Sequence, residues 1–240
     1  MIKLEKKESI YFLTMDADEN RWNTTFVREI ADALDAIEDD DGPGALITSS
    51  TNQKFYSNGL DLEWMQAPEK YPDGGDREVF GEEFMYLMGR FITLPIPTIC
   101  AINGHAFGAG FMFALSHDVR IMREDRGFIC ANEMQLGLPI PRPELALFKH
   151  KIPANSFFET VQLSKRWTGS NALKAGIIQG VCSYEELPEV TLKKAEELAP
   201  LANNRKNFGL QKEMLYGENA AINLNHGPAH MLKNSKDFEI

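Results

Sequence analysis

The 240-residue sequence contains no run of about 18 consecutive apolar residues, so no membrane-spanning helix is expected. Cysteine is scarce. Cys100, Cys130 and Cys182 are odd in number and far apart, which excludes a CxxC metal site and a disulfide framework and points to a reducing compartment. A basic excess is missing as well: 25 Lys and Arg against 35 Asp and Glu give a formal charge of -10, leaving nothing to replace the counterions of a phosphate backbone. Nucleic acid is therefore not expected as a partner. Met1 to Glu8 alternates charge where a secretory leader would be apolar, so the Asn23-Thr24-Thr25 sequon is expected to stay unmodified. Internal repeats and low-complexity tracts are also lacking.

With 43% hydrophobic residues, 18 Gly and 12 Pro, the chain has the composition of an ordinary globular domain and the length for a sizeable core. Ile2, Leu4 and Lys6, followed by the β-branched and aromatic run Ser9 to Met15, predict a strand pair. Phe26, Val27, Ile30, Ala31, Leu34 and Ile37 recur at helical spacing, with Thr24 or Thr25 as N-cap, and Gly42-Pro43-Gly44 lies beyond the helix end. Ala45 to Thr48 reads as a buried strand feeding a polar loop from Ser49 to Gly59, and Pro68 to Gly75 as a surface loop. A helix over Val79 to Ile92, a strand over Thr98 to Ile102 and strands over Asp118 to Met122 and Gly127 to Cys130 follow. From Pro143 the pattern turns mainly helical, with Ser170 as an N-cap and Gly176 as a C′ residue.

Two strand-to-helix junctions are rich in small residues: Phe55-Tyr56-Ser57-Asn58-Gly59-Leu60-Asp61-Leu62 and Gly104-His105-Ala106-Phe107-Gly108-Ala109-Gly110. The second is no dinucleotide fingerprint, because Phe111-Met112-Phe113 stands where the third glycine is needed, and no Gly-Lys-Ser/Thr follows to make it a P-loop. Each alone is compatible with a tight turn; together they offer main-chain N–H groups that can converge on one oxygen as an oxyanion hole. Ser57 has no evident His and Asp partners, which argues against a serine hydrolase.

These two segments, with Asn132-Glu133-Met134-Gln135-Leu136-Gly137-Leu138 and Thr168 to Ile178 in the same order and spacing, resemble the enoyl-CoA hydratase/isomerase (crotonase) family over roughly residues 1 to 200. The resemblance implies an α/β crotonase-like spiral of strand-strand-helix turns. It also implies a division into a core over residues 1–195 and a C-terminal helical region over 196–240 that trimerises and covers the acyl-CoA pocket. The donors to the thioester carbonyl would be the N–H groups of Leu60 and Ala109, with Ser57, Asn58, Gly59, Leu60, Asp61, Leu62, Gly108, Ala109, Gly110 and Met112 as the substrate-binding set. Ala109 stands where many members have glycine, a change that leaves the backbone donor in place.

Family hydratases place and activate water with two glutamates; here the first position is Met112 and the second is Glu133, in a context that looks like the Δ3,Δ2-enoyl-CoA isomerases. Met112 can neither hold nor deprotonate water, so hydration fits poorly. One carboxylate suffices for a 1,3-proton shift in which Glu133 removes a C2 proton and returns it at C4. The apolar flanks of Glu133 predict a largely dry position and a raised pKa. The implied activity is conversion of cis- or trans-3-enoyl-CoA to trans-2-enoyl-CoA in β-oxidation of unsaturated fatty acids. It needs no metal and no cofactor beyond the coenzyme A carried by the substrate. Hydration or hydrolysis on the same fold, or non-catalytic acyl-CoA binding, are the alternatives; Pro139-Ile140-Pro141-Arg142-Pro143 keeps the last one open. A homotrimer or dimer of trimers is expected, in the cytoplasm or the peroxisomal matrix, although Lys236 to Ile240 is no Ser-Lys-Leu-type signal.

Other groups read as structural. His105 and His117 fit core or surface positions, Asp61 and Asp118 fit caps or turns, and Lys206 and Lys212 fit solvated helix charges. Trp64, Met65, Phe84, Met85, Met88 and Phe91 fit core packing, with several of them available to an acyl chain.

Overall fold

The computed structural model describes all residues except 220, 224, 239 and 240, so the carboxyl-terminal pair read above for targeting lies outside the described residues. The chain opens with β1 (Ile2–Lys7) and β2 (Ile10–Met15), antiparallel and in register from Ile2 opposite Met15 to Lys7 opposite Ile10. Helix α1 (Thr24–Glu38) follows, capped by the Asn23 side chain, which accepts from the Phe26 N–H; the cap therefore lies one residue before the expected threonines.

Three turns of one spiral come next. The first is β3 (Ala45–Ser50), β4 (Phe55–Ser57), α2 (Leu62–Gln66) and α3 (Phe80–Thr93). The second is β5 (Thr98–Ile102), β6 (His105–Phe107) and α4 (Ala109–Leu115). The third is β7 (Val119–Arg123), β8 (Ile129–Cys130), a 3-10 turn over Glu133–Leu136 and α5 (Arg142–Lys151). In each turn the first strand joins a six-stranded sheet, ordered β1-β2-β3-β5-β7 and completed by β9 (Gly180–Cys182), and the second joins a three-stranded sheet, β4-β6-β8. The expected spiral of strand-strand-helix turns is thus the architecture observed. The segment from Ser49 to Gly59, read as one polar loop, contains β4, three buried residues too short to show a period.

The continuous apolar runs of the large sheet follow from burial of both its faces. Ile10, Ala45, Ile47, Ile99, Ala101 and Ile121 pack on one side against Leu187, Ala195 and Ala199, which lie in and just beyond helix α8 (Leu187–Leu198). Tyr11, Leu13, Met15, Leu46, Cys100, Ile102 and Met122 pack on the other, against α1, α3, α4 and α5. Between β8 and α8 lie α6 (Ala154–Val161) and α7 (Gly169–Lys174); Thr168, not Ser170, caps α7, and Gly176 follows it at φ +72° as a C′ glycine does. The dividing line placed at 195/196 falls within α8. Helices α9 (Arg205–Tyr216) and α10 (Pro228–Lys233) complete the chain, and α10 lies against α3 and α5. Among the described residues no helix is long and apolar enough to cross a membrane.

Lys212 of α9 is not a solvated charge. Its side chain is 6% exposed, and its Nζ donates to Asp118 Oδ2 at 2.7 Å and to the Ile96 carbonyl at 3.1 Å. Asp118 also accepts from the Thr98 N–H; burial alone would raise its pKa, but the facing Lys212 and Lys151 and this N–H hold it below the ordinary value. The pair fastens α9 to the ends of β5 and β7. Lys212→Met leaves Asp118 without its nearest cation and should cost about 3 kcal/mol or more, read as a lower urea midpoint. An unchanged midpoint would assign the compensation to Lys151.

Candidate active site

The small sheet sets the geometry of the site. Parallel pairing of β4 with β6 (Phe55 opposite His105, Ser57 opposite Ala106) lays the two glycine-bearing junctions side by side, and β6 pairs in turn with β8 through Phe107 and Cys130. Gly59 and Gly108 turn the chain out of β4 and β6 at φ +83° and +49°, conformations that disfavour any side chain. A Cβ on Gly59 would lie 2.7 Å from the Phe107 carbonyl oxygen and 3.8 Å from the Ala109 nitrogen, so the junctions touch because glycine is there.

The N–H groups around the junctions are used internally. Gly59 donates to Ser57 Oγ, Asp61 to the Trp22 carbonyl and Gly108 to the Cys130 carbonyl. Those of Leu60 and Ala109 have no intrachain acceptor among the described residues. Ala109 is the first residue of α4, whose N-terminal N–H groups point out of the helix. Leu60 and Ala109 line one cavity of about 400 Å³ together with Asn58, Gly59, Leu62 and Gly108.

Glu133 enters the same cavity from the third turn. The Gly108-to-Cys130 hydrogen bond holds the segment, and a Cβ on Gly108 would come within 3.1 Å of Glu133 Oε1. Glu133 Oε2 is enclosed and has no hydrogen-bond partner. Burial raises the Glu133 pKa, as expected from its flanks. The downstream flank is less dry than the sequence suggests: Met134, Leu136 and Leu138 are exposed, with Leu136 and Leu138 at the cavity wall. Phe84 and Met85 of α3 supply apolar wall, while Trp64, Met88 and Phe91 belong to the core.

The remaining residues of the expected binding set stand elsewhere. Ser57 is fully buried, its Oγ donating to the Asn20 carbonyl at 2.7 Å and accepting from Trp22 Nε1 at 3.0 Å. Gly110 gives Ser57 room, since a Cβ there would lie 2.6 Å from its carbonyl oxygen. Asp61 caps α2 by accepting from the Trp64 N–H. Met112 is enclosed in the core of α4 and does not line the cavity. His117 is a core residue, bonded to Thr48 Oγ1 and the Phe113 carbonyl, with burial pushing its pKa down to about 3.

Two charged residues of the cavity wall are absent from the sequence reading: Arg21, paired with Glu19 at 2.7 Å, and Glu144. Glu144, in the first turn of α5, is 6% exposed, lines the cavity, and leaves Oε1 without a hydrogen-bond partner. The signal was available in its spacing: Glu144 shares the buried face of α5 with Leu147 and Phe148, three and four residues on. It reads from sequence as a first-turn acid favoured by the helix dipole, which is normally solvated. The conclusion that the site holds a single carboxylate is therefore corrected to two. A larger cleft, about 550 Å³ between the large sheet and Leu187, offers a lone exposed carboxylate, Glu185, and none of the junction N–H groups.

The family model for enoyl-CoA hydratase/isomerase matches residues 5–222. The chain is 32% identical to enoyl-CoA delta isomerase 3 of Arabidopsis thaliana, covering 91% of this chain and 93% of that one. It is 31% identical to the peroxisomal enoyl-CoA delta isomerase 2 of the same plant, over 92% and 95%. In fold it is similar to a probable enoyl-CoA hydratase from Mycobacterium tuberculosis, with a TM-score of 0.80, 23% identity, and 98% and 92% of the two chains covered.

Burial, and secondarily the charge of Glu133, pushes the Glu144 pKa well above the carboxylate range. The unfolded chain releases this proton near the ordinary pKa of about 4.3, whereas the folded chain keeps it. The stabilisation is then complete below that pH and is lost as pH rises toward the folded value. Glu144→Gln, neutral throughout, should therefore gain stability over the parent between about pH 4 and pH 7, by up to about 1.4 kcal/mol per pH unit. Urea unfolding across that range checks it; a pH-independent difference would assign Glu144 an ordinary titration.

Proposed function

From the premise that this chain belongs to the enoyl-CoA hydratase/isomerase family, we propose that it moves the double bond of a cis- or trans-3-enoyl-CoA to the trans-2 position. Family membership carries enoyl-CoA chemistry of the isomerase or hydratase type. The observation that favours isomerisation is that the half-buried Glu133 shares one cavity with the two unengaged N–H groups, while the Met112 position, where family hydratases carry their first glutamate, holds no carboxylate and lies in the core.

In this reading the thioester carbonyl oxygen accepts from the Leu60 and Ala109 N–H groups. Glu133 removes a C2 proton, the negative charge moves onto that oxygen as a dienolate, and a proton given to C4 by a carboxyl group of the cavity completes the shift. Each backbone donor aimed at the developing oxyanion is worth about 2.7 to 4 kcal/mol at the transition state. The raised pKa of Glu133 suits a base near neutral pH, because proton transfer is most efficient when the pKa approaches the working pH. The steps balance with no cofactor beyond the coenzyme A of the substrate.

The proposal extends to assembly and location. Leu201, Leu210, Met214, Leu215 and Ile222 are exposed apolar residues in the C-terminal region, in keeping with a homotrimer or dimer of trimers built through it. The peroxisomal name of an Arabidopsis relative supports a peroxisomal matrix location, with the cytoplasm as the alternative.

A second reading has a specific observation in its favour. Glu144 supplies the second carboxylate that water addition to a trans-2-enoyl-CoA would need, although from α5 and not from the Met112 position. Incubation with 3-hexenoyl-CoA should give the conjugated product by absorbance, and crotonyl-CoA should be hydrated far more slowly. Glu133→Gln should lower isomerase turnover by about 100- to 10,000-fold while acyl-CoA binding persists. Turnover within twofold of the parent would assign the proton transfer elsewhere, and hydration as fast as isomerisation would favour the second reading.

A further inference from the structure

Glu144 is costly to keep where it stands. It is 6% exposed, Oε1 has no hydrogen-bond partner, and its carboxyl faces no Lys or Arg in a salt bridge among the described residues. A leucine or methionine on this face of α5 would pack with Leu147 and Phe148 and strand no polar atom, so packing alone does not account for an acid. A carboxyl group in such surroundings is stable only with its proton on, and in that form it is a donor.

Its neighbourhood makes the proton usable. Glu144 shares the cavity with Glu133, whose Oε2 is enclosed and equally unpartnered, and with the Leu60 and Ala109 junctions. Two free carboxyl groups thus reach one cavity from different elements, Glu133 from the turn after β8 and Glu144 from α5. A 1,3-proton shift removes a proton at one carbon and adds one two carbons away, and two groups can serve those positions without either swinging between them.

We propose that Glu144 is a second proton carrier of the site: Glu133 takes the C2 proton and Glu144 gives its own proton to C4. The proposal rests on the isomerase reading above and deepens it. The C2–H bond breaks with its proton passing to the Glu133 carboxylate, and its electron pair enters the dienolate. The dienolate then forms a C4–H bond with the Glu144 proton, leaving Glu144 as carboxylate. Transfer of the proton held on Glu133 to Glu144, directly or through one water, restores the starting state, so no outside reactant is consumed. Glu144 is protonated and Glu133 ionised before each turnover, an order that follows from the deeper burial of Glu144.

The distinguishing experiment is a single turnover with enzyme in excess, on a 3-enoyl-CoA carrying two deuterons at C2, in ordinary water. The parent should place protium at C4. Glu144→Gln should slow turnover by about 100-fold and shift the C4 label toward deuterium, because only Glu133 is left to return what it removed. Equal C4 label in parent and variant would overturn the proposal. Infrared difference spectra, which need no turnover, separate this outcome from failure of the isomerase reading. Parent minus Glu144→Gln at neutral pH should show the carbonyl stretch of a protonated carboxyl group, and its absence would overturn the proposal on its own. If the glutamine variant does not fold, Glu144→Leu serves for the same subtraction. Absence of any isomerised product, with that band present, would reject the isomerase reading and with it the role at C4.

Discussion

The parallel pairing of β4, β6 and β8 is the constraint on which the site depends. Three short strands, each the second of its spiral turn, end together and deliver Leu60, Ala109 and Glu133 to one cavity. The contact between turns is main chain against main chain, as Gly59 against Phe107 and Gly110 against Ser57 show, and only glycine permits such closeness. The large sheet contributes by fixing the spacing of the turns, since its strands β3, β5 and β7 are pinned on both faces.

In the proposed reaction this geometry divides the chemical labour between backbone and side chain. Donors that belong to the main chain cannot be lost by side-chain substitution and need no reorganisation when charge develops on the oxygen they face. The carboxylates are placed in the opposite manner, with little hydrogen bonding to hold them ionised, so burial dominates and raises both of them. Their unpartnered oxygens, Glu133 Oε2 and Glu144 Oε1, cost stability, because a buried polar atom without a partner keeps its full desolvation penalty. The distant Asp118–Lys212 pair shows the contrasting solution, a buried carboxylate kept ionised by a cation and backbone donors.

The individual strands and helices were legible in the sequence because buried strands and amphipathic helices leave long, regular patterns, as in Ile10 to Met15 and Phe26 to Ile37, whereas their winding into a spiral followed from the family resemblance. Strand β4 was not, since three residues carry no periodicity, and its position follows from pairing with β6, which is tertiary. The N-caps at Asn23 and Thr168 were displaced by one or two residues from the expected ones because several capping residues stand in succession. Within the site, the junction glycines and Glu133 carried local motifs, whereas Glu144 and Lys212 look like surface helix charges until their helices are docked. Met112 and Ser57 could be placed beside the cavity by chain position alone, and the structure turns both into the interior.

The central claim is that one oxygen is held by two backbone N–H groups in reach of the cavity carboxyls. A crystal structure with a non-hydrolysable thioester analogue of an enoyl-CoA measures this directly. The analogue's carbonyl oxygen should lie about 2.7 to 3.1 Å from both the Leu60 and the Ala109 nitrogens. Glu133 should face C2, and Glu144 should face C4. A carbonyl oxygen bound away from these two nitrogens, or a Glu133 carboxylate turned to solvent in every subunit, would contradict the account.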